Sequence, residues 1–120
     1  MGVTVYQYPK CSTCRNALKW LDEHGVSYEA IHIVEAPPTS TTLKELHQKS
    51  GLPLKAFFNT SGKKYRELDL KNKLGEMSDE EQYLLLASSG MLIKRPIVTD
   101  GTKVTLGFKE DQFQDMWSTF

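Results

Sequence analysis

Within its first ~34 residues the chain changes hydrophobic period twice, and that change restricts the fold more than any other feature. Val3 and Val5 alternate with Thr4 and Tyr6 in a period-two run reaching Tyr8, the pattern of a half-buried strand. After a Pro-Lys turn, Cys14, Ala17, Leu18 and Leu21 recur at i, i+3, i+4 and i+7. That spacing predicts one apolar helix face, stopped by Gly25 after His24. Tyr28 to Val34 reads as a second strand, closed by Pro37 and Pro38. A strand, a helix and a strand in so short a span form a βαβ unit, and such a unit requires parallel pairing.

The next stretch carries only helix signals. Thr42-x-x-Glu45 and Ser78-x-x-Glu81 match the capping box, with Gly51 and Gly90 as the stops after those helices. Leu84, Leu85 and Leu86 read as buried helix, and Leu52-Pro53-Leu54 should break or restart a helix. Strand character returns at Ile97-Val98-Thr99 and again from Thr102 to Phe108. The intervening Asp100-Gly101 predicts a type I′ hairpin turn, because both residues tolerate positive φ. Phe113, Met116, Trp117 and Phe120 then form a last apolar helix face. The expected order is β-α-β, a helical block of about sixty residues, then β-β-α: an α/β protein.

Fifteen basic and fifteen acidic residues cancel, which argues against bulk phosphate-backbone binding and so against nucleic acid. No apolar run reaches the ~18 residues of a membrane span. Met-Gly-Val-Thr-Val-Tyr leads straight into strand-forming residues, so the expected location is the cytoplasm. The expected state is a monomer. Two cysteines in one tight cluster fit a reducing compartment and redox chemistry better than a disulfide scaffold.

That cluster is Cys11-Ser12-Thr13-Cys14, at the junction of the first strand and first helix. Unpaired N–H groups and the positive end of the helix dipole favour a thiolate on Cys11, and Lys10 and Arg15 add positive charge nearby. Cys14 lies one helical turn on, within reach of a mixed disulfide on Cys11. The pair reads as nucleophile and resolving thiol. Half of a structural zinc site is the weaker reading, since no second Cys-x-x-Cys or paired histidine is present and His24, His32 and His47 stand singly. A buried, inert pair fits poorly with a turn carrying Pro, Lys and Ser. The same turn suits an oxyanion, held by the amides of Ser12, Thr13 and Cys14. An arginine should then stand opposite. Arg95, followed by Pro96 at the opening of the third strand, is the best placed, and a cis Pro96 would fix it in a tight turn.

Tyr-Pro-Lys-Cys-Ser-Thr-Cys-Arg (8–15), together with Ile-Lys-Arg-Pro-Ile-Val (93–98), resembles the ArsC/Spx family over essentially the whole chain. The segments 57–68 and 107–113 strengthen the match, and 57–68 is most similar to the small reductase-like members with a Cys-x-x-Cys. The resemblance implies one domain over 1–120, with a thioredoxin/glutaredoxin-like core at about 1–35 and 93–120 and a helical insertion at about 40–92. It implies a thiol–disulfide oxidoreductase similar to arsenate reductases, with Cys11 as nucleophile, Cys14 as resolving thiol and Arg95 before the cis-proline. No cofactor is expected to be bound. The substrate is expected to be a small oxyanion or a disulfide, and glutathione with glutaredoxin, or thioredoxin, the reductant. Two arginines of the arsenate reductase pattern are replaced here, by Asn59 and Phe108, with Arg66 a candidate substitute. The alternative branch is the Spx-type redox-sensing regulator, whose partner is the C-terminal domain of the RNA polymerase α subunit.

Overall fold

The computed structural model describes residues 2–118. They fall into two compact units, one taking the chain as far as His32 and again from Arg95 onward, the other covering Ile33–Lys94.

The first unit is an α/β layer structure. Strand β1 (Gly2–Gln7), helix α1 (Ser12–Glu23) and strand β2 (Ser27–His32) make the expected βαβ unit, with β1 and β2 parallel and Gln7 opposite His32. Strands β3 (Ile97–Thr99) and β4 (Val104–Leu106) follow, and helix α6 (Glu110–Trp117) completes the unit. The sheet order is β2-β1-β3-β4, with β3 antiparallel to both of its neighbours. This is the thioredoxin-like arrangement. β1 lies inside the sheet, paired with β2 on one side and β3 on the other, and its Val3 and Val5 share one face, where they join Val98, Ala17, Trp20, Leu21, Val26, Phe113 and Trp117 in a common core. The face that α1 buries includes Trp20, three residues after Ala17, while Leu18 is only partly buried. The second strand starts at Ser27, one residue before the predicted Tyr28, and ends at His32, two residues short of the predicted Val34.

Helix α1 ends as its sequence dictates. Gly25 takes φ +68°, Val26 N–H donates to the Leu21 carbonyl at 2.9 Å and Gly25 N–H to the Asp22 carbonyl at 3.2 Å. Those are the two bonds of a Schellman stop, and Val26 packs into the same core as Leu21. The hairpin differs from expectation. β3 and β4 pair Thr99 with Val104, which leaves four residues in the loop, and Asp100 has no positive φ. Its carboxylate instead accepts from Thr102 N–H at 2.9 Å and Lys103 N–H at 2.8 Å. A side chain replaces the tight I′ backbone. Phe113 and Trp117 are buried on α6 as predicted, whereas Phe120 lies outside the described residues.

The second unit is helical: α2 (Ser40–Ser50), α3 (Lys63–Glu67), α4 (Leu70–Lys73) and α5 (Asp79–Ala87), with 3-10 turns at Leu54–Phe57, Leu74–Glu76 and Gly90–Leu92. Its extended pairing among the described residues is an isolated bridge between Phe58 and Ile93. The Ser78–Glu81 capping box forms on α5, and Gly51 closes α2 at φ +68°. The Thr42–Glu45 box does not form. Thr39 caps α2 instead, accepting from Thr42 N–H at 3.1 Å, so Thr42 already lies within the helix. Leu86 is buried but Leu84 is 63% exposed, because α5 turns that side outward. Proline 53 restarts the chain as the Leu54–Phe57 turn. Helices α2 and α5 are joined by a Lys44–Glu80 ion pair at 3.3 Å and a His47–Tyr83 hydrogen bond at 2.6 Å.

Candidate active site

The site sits where β1 hands over to α1. Pro9 occupies the second position of a turn closed by Cys11 N–H donating to the Tyr8 carbonyl at 3.0 Å. That turn leaves Cys11 extended (φ −95°, ψ 116°), the conformation of a helix N-cap. Its sulfur takes the place that a serine hydroxyl usually fills: Cys14 N–H donates to Cys11 Sγ at 3.4 Å. The amides of Ser12 and Thr13, in the same first turn, have no intrahelical acceptor. Their side chains are exposed. Cys11 is half-buried and Cys14 fully buried, and both are free thiols.

The two sulfurs are held unequally. Burial pushes the Cys11 thiol up, but hydrogen bonds from the Cys14 thiol and amide, then the Arg95 guanidinium, outweigh it, and the net shift is downward. Cys14 is pushed up to about 12, first by burial and then by its bond to Cys11 and by that sulfur's charge, against the opposing Tyr8 amide and Arg95. Tyr8 N–H donates to Cys14 Sγ at 3.5 Å. One sulfur is prepared as thiolate and the other kept as thiol. At pH 6 alkylation of Cys11 is therefore expected to far outpace that of Cys14, since the thiolate is the reactive form. Mass spectrometry of each cysteine peptide against pH would check this; a Cys11 midpoint at the free-thiol value of ~8.5 or above would contradict it.

Of the predicted site residues, the structure brings Cys11, Cys14 and Arg95 together. Arg95 precedes a cis peptide bond to the buried Pro96, whose carbonyl accepts from Gly107 N–H at 2.8 Å at the base of the hairpin. Arg95 Nε and Nη1 are buried and have no hydrogen-bond partner among the described residues. Lys10 and Arg15 are exposed, and Arg15 Nη1 donates to the Pro9 carbonyl at 3.0 Å. The positive charge acting on Cys11 is that of Arg95. Phe108 is partly buried and packs against the core, its ring meeting Phe113 edge-on at 4.8 Å. In the helical unit, Asn59 accepts from the Ser61 hydroxyl at 3.3 Å and Arg66 donates to the Ser61 carbonyl at 2.8 Å. Tyr8 was missed as a site residue. Its ring carries the Arg95 guanidinium, with Cζ 5.4 Å from the ring centroid, and the His32 ring stands edge-on to it at 5.7 Å. The signal was present in the register: a strand ending at Gln7, parallel to one ending at His32, brings position 8 beside His32. Among the described residues no group of three or more His, Cys, Asp and Glu is placed to hold a metal ion, and no helix is long and apolar enough to cross a membrane.

Comparison with known proteins places this geometry. The model of the ArsC family matches residues 6–116. The uncharacterised protein YusI of Bacillus subtilis (strain 168) is 64% identical over 118 residues, covering 98% of this chain and all of YusI. The global transcriptional regulator Spx of Streptococcus mutans is 28% identical over 112 residues, which is 93% of this chain and 80% of that regulator. Among solved structures, the arsenate reductase from Vibrio cholerae superposes with a TM-score of 0.86 at 31% identity, covering 97% of this chain and 98% of that one.

Proposed function

The chain belongs to the ArsC family, and on that premise we propose that it is a thiol-dependent reductase of the cytoplasm, with Cys11 as nucleophile and Cys14 as resolving thiol. The observation that carries this reading is the N-capping Cys11 sulfur beside the unpartnered Nε and Nη1 of Arg95, with the Cys14 thiol behind it. In the proposed reaction the Cys11 thiolate attacks a substrate disulfide, forms a mixed disulfide and releases one thiolate. Cys14 then loses its proton and attacks Cys11 sulfur. The second thiolate leaves, and the Cys11–Cys14 disulfide holds the two electrons' worth of oxidation. Two thiols of glutathione, glutaredoxin or thioredoxin restore the pair. Arg95 and the Ser12 and Thr13 amides would steady the departing negative charge.

The first attack also prepares the second. Burial, the largest cause that holds Cys14 up, persists once Cys11 is in a disulfide, but the Cys11 charge and its acceptance of the Cys14 proton, which also held it up, are gone. The Tyr8 amide and Arg95, which lower Cys14, remain.

Disulfides are favoured over arsenate as substrates because, of the three arginines that the resemblance to arsenate reductases implies, Arg95 is kept and Asn59 and Phe108 stand at the other two positions. Each lost oxyanion donor is worth ~3–4 kcal/mol of transition-state stabilisation. Purified protein should turn over a generic disulfide with at least one of these reductants, and arsenate at least ~100-fold more slowly. Arsenate turnover equal to disulfide turnover would reverse that order of substrates. The similarity to Spx favours a second reading, a redox-responsive regulator that binds the polymerase α C-terminal domain. Micromolar binding to that domain by calorimetry, with no turnover of any substrate, would put it first.

A further inference from the structure

We propose that Tyr8 is a positioning residue: its ring face seats the Arg95 guanidinium beside Cys11, while its own backbone holds the Cys11 amide and the Cys14 sulfur. The proposal deepens the reductase reading, since it rests on Cys11 as the nucleophile.

Three contacts converge on this one residue. The Tyr8 carbonyl accepts from Cys11 N–H at 3.0 Å, and Tyr8 N–H donates to Cys14 Sγ at 3.5 Å. The ring lies under Arg95, 5.4 Å from Cζ to centroid. The two backbone contacts would survive any side-chain substitution; the third would not.

The ring matters because two of the Arg95 guanidinium nitrogens lack a hydrogen-bond partner among the described residues. A buried cationic N–H without an acceptor costs free energy, and both Nε and Nη1 are in that condition. The face of an aromatic ring carries negative potential that repays part of this cost without using up an N–H. Arg95 is thereby held in place with its donors still available, which a carboxylate partner would not allow. The charged and titratable groups that contact Tyr8 include Arg95, Cys14 and His32. Arg95 lies over the ring, the Cys14 thiol accepts from the Tyr8 backbone N–H, and His32 meets the ring edge-on, ring planes at 80°. Arg15 is committed to the Pro9 carbonyl.

The test is the pH profile of Cys11 alkylation in the full chain, which needs no substrate. Tyr8→Phe keeps the ring and is expected to keep the wild-type profile. Tyr8→Leu should shift the midpoint upward, slowing alkylation at pH 6 by ~3- to 10-fold. Pentafluorophenylalanine at position 8 preserves the shape while reversing the ring's potential, so it should give the same loss even if the leucine variant fails to fold. On an Arg95→Ala background, Tyr8→Leu should add nothing. An unchanged profile with the fluorinated ring, an equal loss in Tyr8→Phe, or fully additive losses with Arg95→Ala would each overturn the proposal. The expected profiles in a protein that reduces nothing would uphold the role of Tyr8 and remove the reductase reading instead.

Discussion

Cys11→Ser protein is expected to lose all turnover, and Cys14→Ser protein to stop halfway. Serine at position 11 can still cap α1, as hydroxyls do, so the fold should survive with little change in thermal midpoint. What disappears is the thiolate. An alcohol at neutral pH offers almost no alkoxide, and the hydrogen bonds and guanidinium that stabilise the Cys11 anion are too weak to close a gap of many pK units. Activity should fall by at least ~1,000-fold, to background. Cys14→Ser is the more informative change. It leaves the attacking thiolate but removes the resolving thiol, so one substrate half should stay on Cys11, seen by mass spectrometry as a single adduct that excess dithiol removes. Undiminished cycling in Cys14→Ser without an adduct would mean that an external thiol resolves the intermediate, and the role given to Cys14 would fall.

This asymmetry was only partly legible in the sequence. Cys11 at a strand–helix junction announces a stabilised thiolate, because helix ends leave amides unpaired whatever the rest of the chain does. Arg95 was legible through its proline. The source of the positive charge was not: Lys10 and Arg15 are near Cys11 in sequence, yet a turn and a helix point successive side chains in different directions, and Arg95 arrives from the far end of the chain. Tyr8 was hidden for a related reason. It read as the end of a strand, and only the parallel register with β2 and the arrival of Arg95 give its ring a task. The fold followed the periods closely where one face is buried, as in β1, α1 and α6. It departed where short polar side chains choose among local bonds: Thr39 took the cap expected of Thr42, and Asp100 built a four-residue loop in place of a two-residue turn.

Gly90 is the clearest misreading, and it carries the second large effect. A glycine after a capped helix suggests a left-handed stop, as at Gly51, where φ is +68° and a Cβ would meet open space. Gly90 has no positive φ and opens the Gly90–Leu92 turn two residues beyond the α5 cap at Ser88. Its constraint is distance. A Cβ there would lie 2.1 Å from the Ile33 carbonyl oxygen, 2.6 Å from its carbon and 3.0 Å from Val34 Cα. All three are backbone atoms, so no side-chain rotation relieves the clash. Nor is the surrounding chain free to yield. Ile33, Leu92 and Ile93 are fully buried, Asn59 N–H donates to the Leu92 carbonyl at 2.8 Å, and Lys94 N–H donates to the Phe57 carbonyl at 2.8 Å. Gly90→Ala must therefore push two packed segments apart, and should cost about 3 kcal/mol or more, the upper end of what overpacking a core costs. Gly51→Ala meets only backbone strain and should cost about 1 kcal/mol. Urea unfolding of the two variants separates these causes. Equal losses would mean that the Ile33 backbone gives way easily, and that Gly90 was chosen for conformational freedom after all.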